Sequence, residues 1–443
     1  MEVNPELRRN LWLELTLHRL IAMPVVLAMV FALVRAGSED PRTSVAVAAA
    51  WIAGLLLGAW GVRNAGDCVL EEVRARTWDT QRLSAIGPWA MTWSKLLGSV
   101  AFAWYGGLMA LAVLLACAPP AWQLSASMVA AMIVAGSVLA QSTACLAGLA
   151  AARKGLARRG GVGLWLLIVI FVLVGPGVGL ALDRELGWQW WGRDYARSDF
   201  ALASAACFAA WAIFGLYRAM CVELQVRTTP WAFASFVLFL IAYIAGFWVV
   251  PGAGVRSIMY ALVLSAVAVT GTMTYLQLFS ETTGVIVARR VQVRLARGEW
   301  RRALEELPCW PVAFAMAAVA SVAAALVLPA PSSTSEEALR LLFAAPIPVF
   351  LLMTRDVAIF LFFAFARQPK RVEAAAVFYL AMLYGVIPGL CAAAGWKGLA
   401  EFMVPPLNPS PVMAVAMAAV HAGAAAALLA WRWRTYGRGE GKA

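Results

Sequence analysis

Apolar residues in this chain gather into long unbroken runs separated by short polar connections. The runs fall at about 20–34, 44–62, 96–117, 127–152, 162–182, 200–217, 231–250, 257–279, 311–329, 341–366, 372–393 and 412–430. A helix that crosses a bilayer needs about 20 mainly apolar residues. These runs have that length and are continuous rather than alternating. Backbone groups in hydrocarbon must pair within their own segment, so the pattern predicts helices and excludes a barrel. The expected fold is an all-α polytopic membrane protein of about twelve transmembrane helices. Ahead of the first run, MEVNPELRRNLWLELTLHRL mixes charges and predicts a short surface helix, with Asn4 as its cap and Pro5 at its first position. The run that follows reads as a retained span rather than a cleaved signal.

The runs also repeat. Starts at 20, 44, 96, 127, 162 and 200 pair with starts at 231, 257, 311, 341, 372 and 412, an offset of about 210 to 215. The second inner loop of each half is long and charged, at 63–95 and 280–310. The fifth span of each half ends in a Gly/Pro break, Gly175-Pro176-Gly177 and Pro388-Gly389. A tryptophan-bearing outer segment follows each, with Trp188, Trp190 and Trp191, then Trp396, where interfacial anchoring is the ordinary role. Two six-helix pseudo-repeats are expected, residues 1–220 and 221–443. With an even number of spans each, they would be related by an axis along the membrane normal.

Composition sharpens this picture. Of 443 residues, 63% are hydrophobic and 14% charged, against about a quarter charged in soluble domains. A water-soluble globule, a disordered chain and a secreted disulfide scaffold are excluded. The net charge of +12 would suggest nucleic acid in a soluble protein. Here the basic residues lie between spans. With both termini in the cytoplasm, 27 Lys and Arg fall on that side and 8 outside, which sets the orientation and leaves no nucleic-acid partner to invoke. The seven cysteines form no C-x-x-C, and His18 and His421 are far apart in sequence, so no metal site is expected.

No catalytic pattern stands out. There is no G-x-S-x-G and no H-E-x-x-H. The sole Gly-Lys pair, Gly441-Lys442, is followed by Ala443 and not by the rest of a phosphate-binding loop. The chain is therefore read as no enzyme, with no cofactor of its own.

The first long inner loop runs from Glu71 to Lys95, EEVRARTWDTQRLSAIGPWAMTWSK. A charged lead passes into a helix-like stretch, then a Gly87-Pro88 turn, then a lysine at the opening of the third span. This order resembles the inner loop of ABC-2 type transporter permeases, the membrane subunits of one class of ATP-driven exporters. The N-terminal surface helix and the six-span unit with an outer element between its fifth and sixth spans resemble that family too. The resemblance implies that Thr77, Trp78, Asp79, Arg82 and Leu83 lie on a coupling helix that docks on a separate ABC-type ATPase subunit. The matching stretch of the second half would lie between Glu281 and Trp310, with Arg294, Arg297, Trp300, Arg301 and Arg302 prominent. That loop departs from the pattern. It lacks the Thr-Trp-Asp run and is far more basic, which puts equal docking of both halves in doubt. The family further implies a bacterial inner-membrane location and ATP hydrolysed by the partner.

Polar groups inside spans suggest a translocation path. Arg355-Asp356 lies in the tenth span, where a charge costs about 2.5–3.5 kcal/mol on insertion scales. Adjacent side chains diverge on a helix, so the two need not pair. The span could alternatively end near Thr354. Shifted by the repeat, Gln141 and Ser142 sit at the same depth of the fourth span. Thr270, Thr272, Thr274 and Gln277 of the eighth could line the same path, although membrane threonines usually bond their own backbone. Gly54-x-x-x-Gly58 permits close helix approach. The expected function is a permease moving an unidentified substrate. The alternatives are an ion-gradient-driven transporter, with Asp356 as the ion carrier, and a membrane-embedded enzyme or assembly scaffold.

Overall fold

The computed structural model describes residues 4–84, 86–120, 122, 124–153, 187–281, 284–327, 346–366, 372–407 and 410–437. The chain is an all-α polytopic membrane protein. Ten of the described helices are long and apolar enough to cross a membrane, or eleven with one bent pair counted as a span. Numbered as predicted, they are Leu17–Ala36, Pro41–Arg74, the bent pair Pro88–Gly98 with Ala101–Cys117, Ala126–Arg153, then Arg197–Glu223 as the sixth. Trp231–Trp248, Val255–Ser280, Cys309–Val327, Pro346–Ala364, Val372–Ala393 and Val412–Thr435 follow as the seventh to twelfth. The predicted fifth span, 162–182, lies outside the described residues, as does its Gly175-Pro176-Gly177 break.

The surface helix forms over Pro5–Glu14, and Asn4 caps it by accepting from the amides of Glu6 and Leu7. The second span is longer than its apolar run. It continues through Arg63 and Asp67 to Arg74, because its last 14 residues bury Val62, Ala65, Cys68 and Val69 on one face. It stops where Arg76 turns left-handed (φ 57°) and the Thr77 amide reaches back to the Glu72 carbonyl. The first inner loop is therefore shorter than 63–95.

Among the described residues, wide π-helical segments occur at the end of the twelfth span, Trp433–Gly437, and within three others: Gly54–Trp60, Ser94–Gly98 and Met382–Val386. The last of these explains why Pro388-Gly389 does not end the eleventh span. The wide turn shifts the hydrogen-bond ladder just ahead of the proline, which lacks an N–H, and Ile387–Ala393 continues as helix. Among the described residues the only strands are Gly187–Trp190 and Arg193–Ala196, paired as a hairpin.

The chain divides into two compact units, one of residues 1–188 with 194–228 and one of residues 189–193 with 229–443. In the first, Val62, Val69, Met91, Leu149, Leu216 and Met220 form the core. In the second, Met353, Phe360 and Leu361 pack with Leu278 and Ala317. Within that second unit Trp190 donates to the Tyr243 carbonyl at 2.9 Å, and the Trp191 amide to that of Gly246 at 2.8 Å. Trp188 remains 41% exposed.

Small residues bring helices together, but not where the G-x-x-x-G spacing suggested. Gly54 and Gly58 face open space, whereas a Cβ on Gly148 would collide with the Gly66 carbonyl oxygen. The second and fourth spans thus touch backbone to backbone. Gly148→Ala must push them apart and should lower stability by about 1–3 kcal/mol, read as a lower melting temperature in detergent. Gly54→Ala should leave it unchanged or raise it.

Candidate functional site

In the second unit a polar knot sits in the middle of the helices. Arg355 and Asp356 are the tenth and eleventh of 19 residues in Pro346–Ala364, and each is 2% exposed. The span does not end near Thr354, so both charges fall at its centre. The two side chains also meet, contrary to the divergence expected of neighbours. Arg355 bends back so that its Nε donates to Asp356 Oδ1 at 2.9 Å. Its Nη2 is also 2.9 Å from Oδ1 but makes no hydrogen bond. The other carboxylate oxygen, Oδ2, accepts from the hydroxyls of Tyr275 and Tyr384, each at 2.7 Å. In a low-dielectric interior, ion pairing and charged hydrogen bonds of this kind outweigh the preference of adjacent side chains to splay.

Four spans supply this knot. Tyr275 comes from the eighth, the ion pair from the tenth, Tyr384 from the π-helical turn of the eleventh, and His421 from the twelfth. The Arg355 guanidinium lies 4.6 Å from the Tyr384 ring centre, and its Nη1 is 3.4 Å from His421 Nδ1. Arginine can only donate, so Nδ1 accepts and the ring proton sits on Nε2, 3.0 Å from the Phe402 carbonyl. One cation and one carboxylate lie at the centre of the cluster, and of the Arg355 nitrogens only Nη2 is left without a hydrogen-bond partner.

The sequence singled out the ion pair but missed Tyr275, Tyr384 and His421. Tyr275 follows directly on the flagged threonines, yet nothing in the pattern distinguishes it from an anchoring aromatic. The threonines bond their own helix, Thr270 to the Ala266 carbonyl and Thr274 to that of Thr270.

The counterpart positions in the first unit are engaged differently. Gln141 is 1% exposed; its amide nitrogen donates to the Leu57 carbonyl at 2.7 Å and its oxygen accepts from Trp104 Nε1 at 3.0 Å. Leu57 lies in the π-helical segment, where the widened turn offers its carbonyl. Ser142 bonds the Val138 carbonyl of its own helix. Gln141 thus joins the fourth span to the second and third, while Ser142 is satisfied by its own helix.

A second knot anchors the first inner loop. Lys95, on the π-helical turn that opens the third span, is 1% exposed. Its Nζ donates to Glu72 Oε1 at 2.5 Å, Gln81 Oε1 at 2.7 Å and Glu6 Oε1 at 3.2 Å, and lies 5.7 Å from the Trp78 ring centre. Gln81 in turn donates to Glu72 at 2.9 Å, and Arg9 pairs with Glu6 at 3.3 Å, so the two carboxylates face two cations. One lysine thus holds the surface helix, the end of the second span, the loop helix Trp78–Arg82 and the third span. Lys95 opens the third span, and its partners bury its side chain within the protein.

This places the expected coupling residues. Thr77 precedes the loop helix and bonds the Glu72 carbonyl at 3.4 Å. Trp78 is 6% exposed and belongs to the core, not to a docking face. Arg82 is held by the Glu223 carbonyl at 3.2 Å and pairs with Asp79 at 3.5 Å. Asp79, Thr80 and Leu83 face outward, Leu83 with 89% exposure. In the second unit the basic loop folds as two helices, Val285–Ala296 and Trp300–Glu306. There Arg297 is exposed, Trp300 is 66% exposed, and Arg301 lies 3.8 Å from Glu305.

Among the described residues no three His, Cys, Asp or Glu side chains are grouped to hold a metal ion. The buried thiols of Cys68 and Cys145 lie 3.8 Å apart and are both free. No family model, no curated protein and no solved structure matches this chain.

Proposed function

We propose that this protein is the membrane subunit of an ATP-driven exporter, coupled through its first inner loop to a separate ATPase subunit. The observation that carries the reading is the construction of that loop. An orienting loop needs only surface charge, but this one is anchored by a buried lysine with two carboxylates and an amide. On that rigid base it presents Leu83 almost fully exposed beside Asp79 and Thr80. An apolar side chain on a preorganised support suits a protein partner. Closure of the partner on ATP would push the tip, and the Lys95 knot would carry the push to the second and third spans and the surface helix. ATP is bound and cleaved by the partner, and the termini lie in the cytoplasm of a bacterial inner membrane, in keeping with the 27 to 8 division of basic residues. The substrate class is open.

The test uses the exposed tip alone. Leu83→Asp with Asp79→Lys breaks only the exposed pair of Asp79 with Arg82, which Glu223 still holds, so stability should stay within about 0.5 kcal/mol of wild type, read from the melting temperature. Stimulation of the co-purified ATPase should fall at least about tenfold, the equivalent of about 1.4 kcal/mol of lost contact. Unchanged stimulation would remove the coupling role.

One observation favours a second reading. Asp356 is a buried carboxylate at the centre of a span, the usual place for an ion carrier. Transport by the chain alone in liposomes, abolished by a proton uncoupler and indifferent to ATP, would establish an ion-driven transporter instead.

A further inference from the structure

The second inner loop has a basic face turned away from the protein. Its six arginines divide into two groups. Arg294, Arg301 and Arg302 pair with Glu306, Glu305 and Glu299 at 2.6, 3.8 and 3.1 Å. Arg289, Arg290 and Arg297 are exposed and have no acidic partner among the described residues.

These three are not scattered. At 100° per residue, Ile286, Arg289, Arg290, Val293 and Arg297 fall on one side of the helix Val285–Ala296 and its first following residue. The opposite side carries Val285 and Ala288, which pack on the second unit's core. The outward side therefore shows an apolar stripe, Ile286 at 68% and Val293 at 44% exposure, flanked by unpaired guanidiniums. Trp300, 66% exposed, opens the next helix. An apolar stripe bordered by arginines, with a tryptophan beside it, is the chemistry of a helix lying in a membrane interface.

The tethers keep it there. Four residues, 281–284, join it to the eighth span, a reach of at most about 14 Å. The second helix of the loop ends two residues before the ninth span, and Glu281 closes the base by accepting from the Cys309 amide at 2.9 Å.

We propose that this face binds the headgroups of anionic phospholipids, with Arg289, Arg290 and Arg297 on the phosphates and Ile286, Val293 and Trp300 at the level of the upper acyl chains. The inference does not depend on the exporter reading. It separates the two inner loops by partner: the first loop's tip offers Asp79 and Leu83, whereas the second offers three arginines on one helix side to a negative surface.

The test is hydrogen exchange on the full chain in nanodiscs of phosphatidylcholine, with and without phosphatidylglycerol. Phosphatidylglycerol should slow exchange across 285–300 by at least about fivefold, the contribution of a single near-surface arginine. R289Q/R290Q/R297Q should abolish that slowing, and R289K/R290K/R297K should retain it, since charge rather than guanidinium shape carries it. Unchanged exchange across 346–364 would show that the glutamine variant is folded. No response to phosphatidylglycerol overturns the proposal, as does a response that survives the glutamine changes. Slowing that appears only when a candidate ATPase is added, in either lipid, would give this face to a protein partner and overturn it equally.

Discussion

Asp356→Ala is expected to destabilise the second unit by about 3–5 kcal/mol, the cost of leaving one member of a buried ion pair without the other. The magnitude follows from the surroundings. Arg355 is 2% exposed, and its other contacts are the face of Tyr384 and a 3.4 Å approach to His421 Nδ1. Neither replaces a carboxylate. Two phenol donors would lose their acceptor at the same time. Removing both charges with apolar residues of similar volume, Arg355→Met with Asp356→Leu, should recover most of the loss. The surroundings can then relax, with only the two hydroxyls unsatisfied, at about 1–3 kcal/mol each if they find no other partner. Tyr275→Phe alone removes one of two donors to a satisfied oxygen and should cost about 1.5–3 kcal/mol at most. Melting temperatures of the three variants and the wild type in one detergent provide the check. If Asp356→Ala proved no worse than Tyr275→Phe, the pair would be solvated rather than buried and the knot would have no role in holding the four spans.

Lys95→Met should produce the other large effect, with a different signature. It leaves Glu72 and Glu6 facing each other across an apolar methionine. Glu72 keeps its bond from Gln81 and Glu6 keeps Arg9, and Glu72 is 16% exposed. The loss should therefore lie near about 3 kcal/mol, the lower end for a broken buried pair. Adding Glu72→Gln should restore part of it by removing the uncompensated charge. Because the lysine joins four elements, the variant should also loosen the loop locally. Faster hydrogen exchange across 72–95, with 346–364 unchanged, would show that. On the exporter reading, ATPase stimulation falls in this variant although no exposed residue has changed. Uniform exchange across the loop in both proteins would mean that the knot does not rigidify it.

Much of the architecture was legible from hydropathy. The ten described spans, eleven with the bent pair, overlap predicted runs because a bilayer demands a minimum apolar length of any crossing helix, whatever it packs against. The cap at Asn4 and the first-turn Pro5 were also readable, since capping is a local matter of one side chain and two amides. Positions that depend on a partner helix were not. Trp78 sits in a loop sequence but is buried, because the long second span and the fourth span place a core beside it. Gly54 and Gly58 have the spacing of a contact motif and touch nothing, while Gly148 meets the Gly66 backbone.

Sequence alone therefore determined what the bilayer and the local backbone demand: helices, their approximate positions and the uneven distribution of basic charge along the chain. The tertiary structure decided which polar groups meet. Lys95 finds acceptors 89, 23 and 14 residues away, and Asp356 finds hydroxyls 81 and 28 residues away. Burying a charge requires partners in three dimensions, and their identity is set by helix packing rather than by any spacing along the chain.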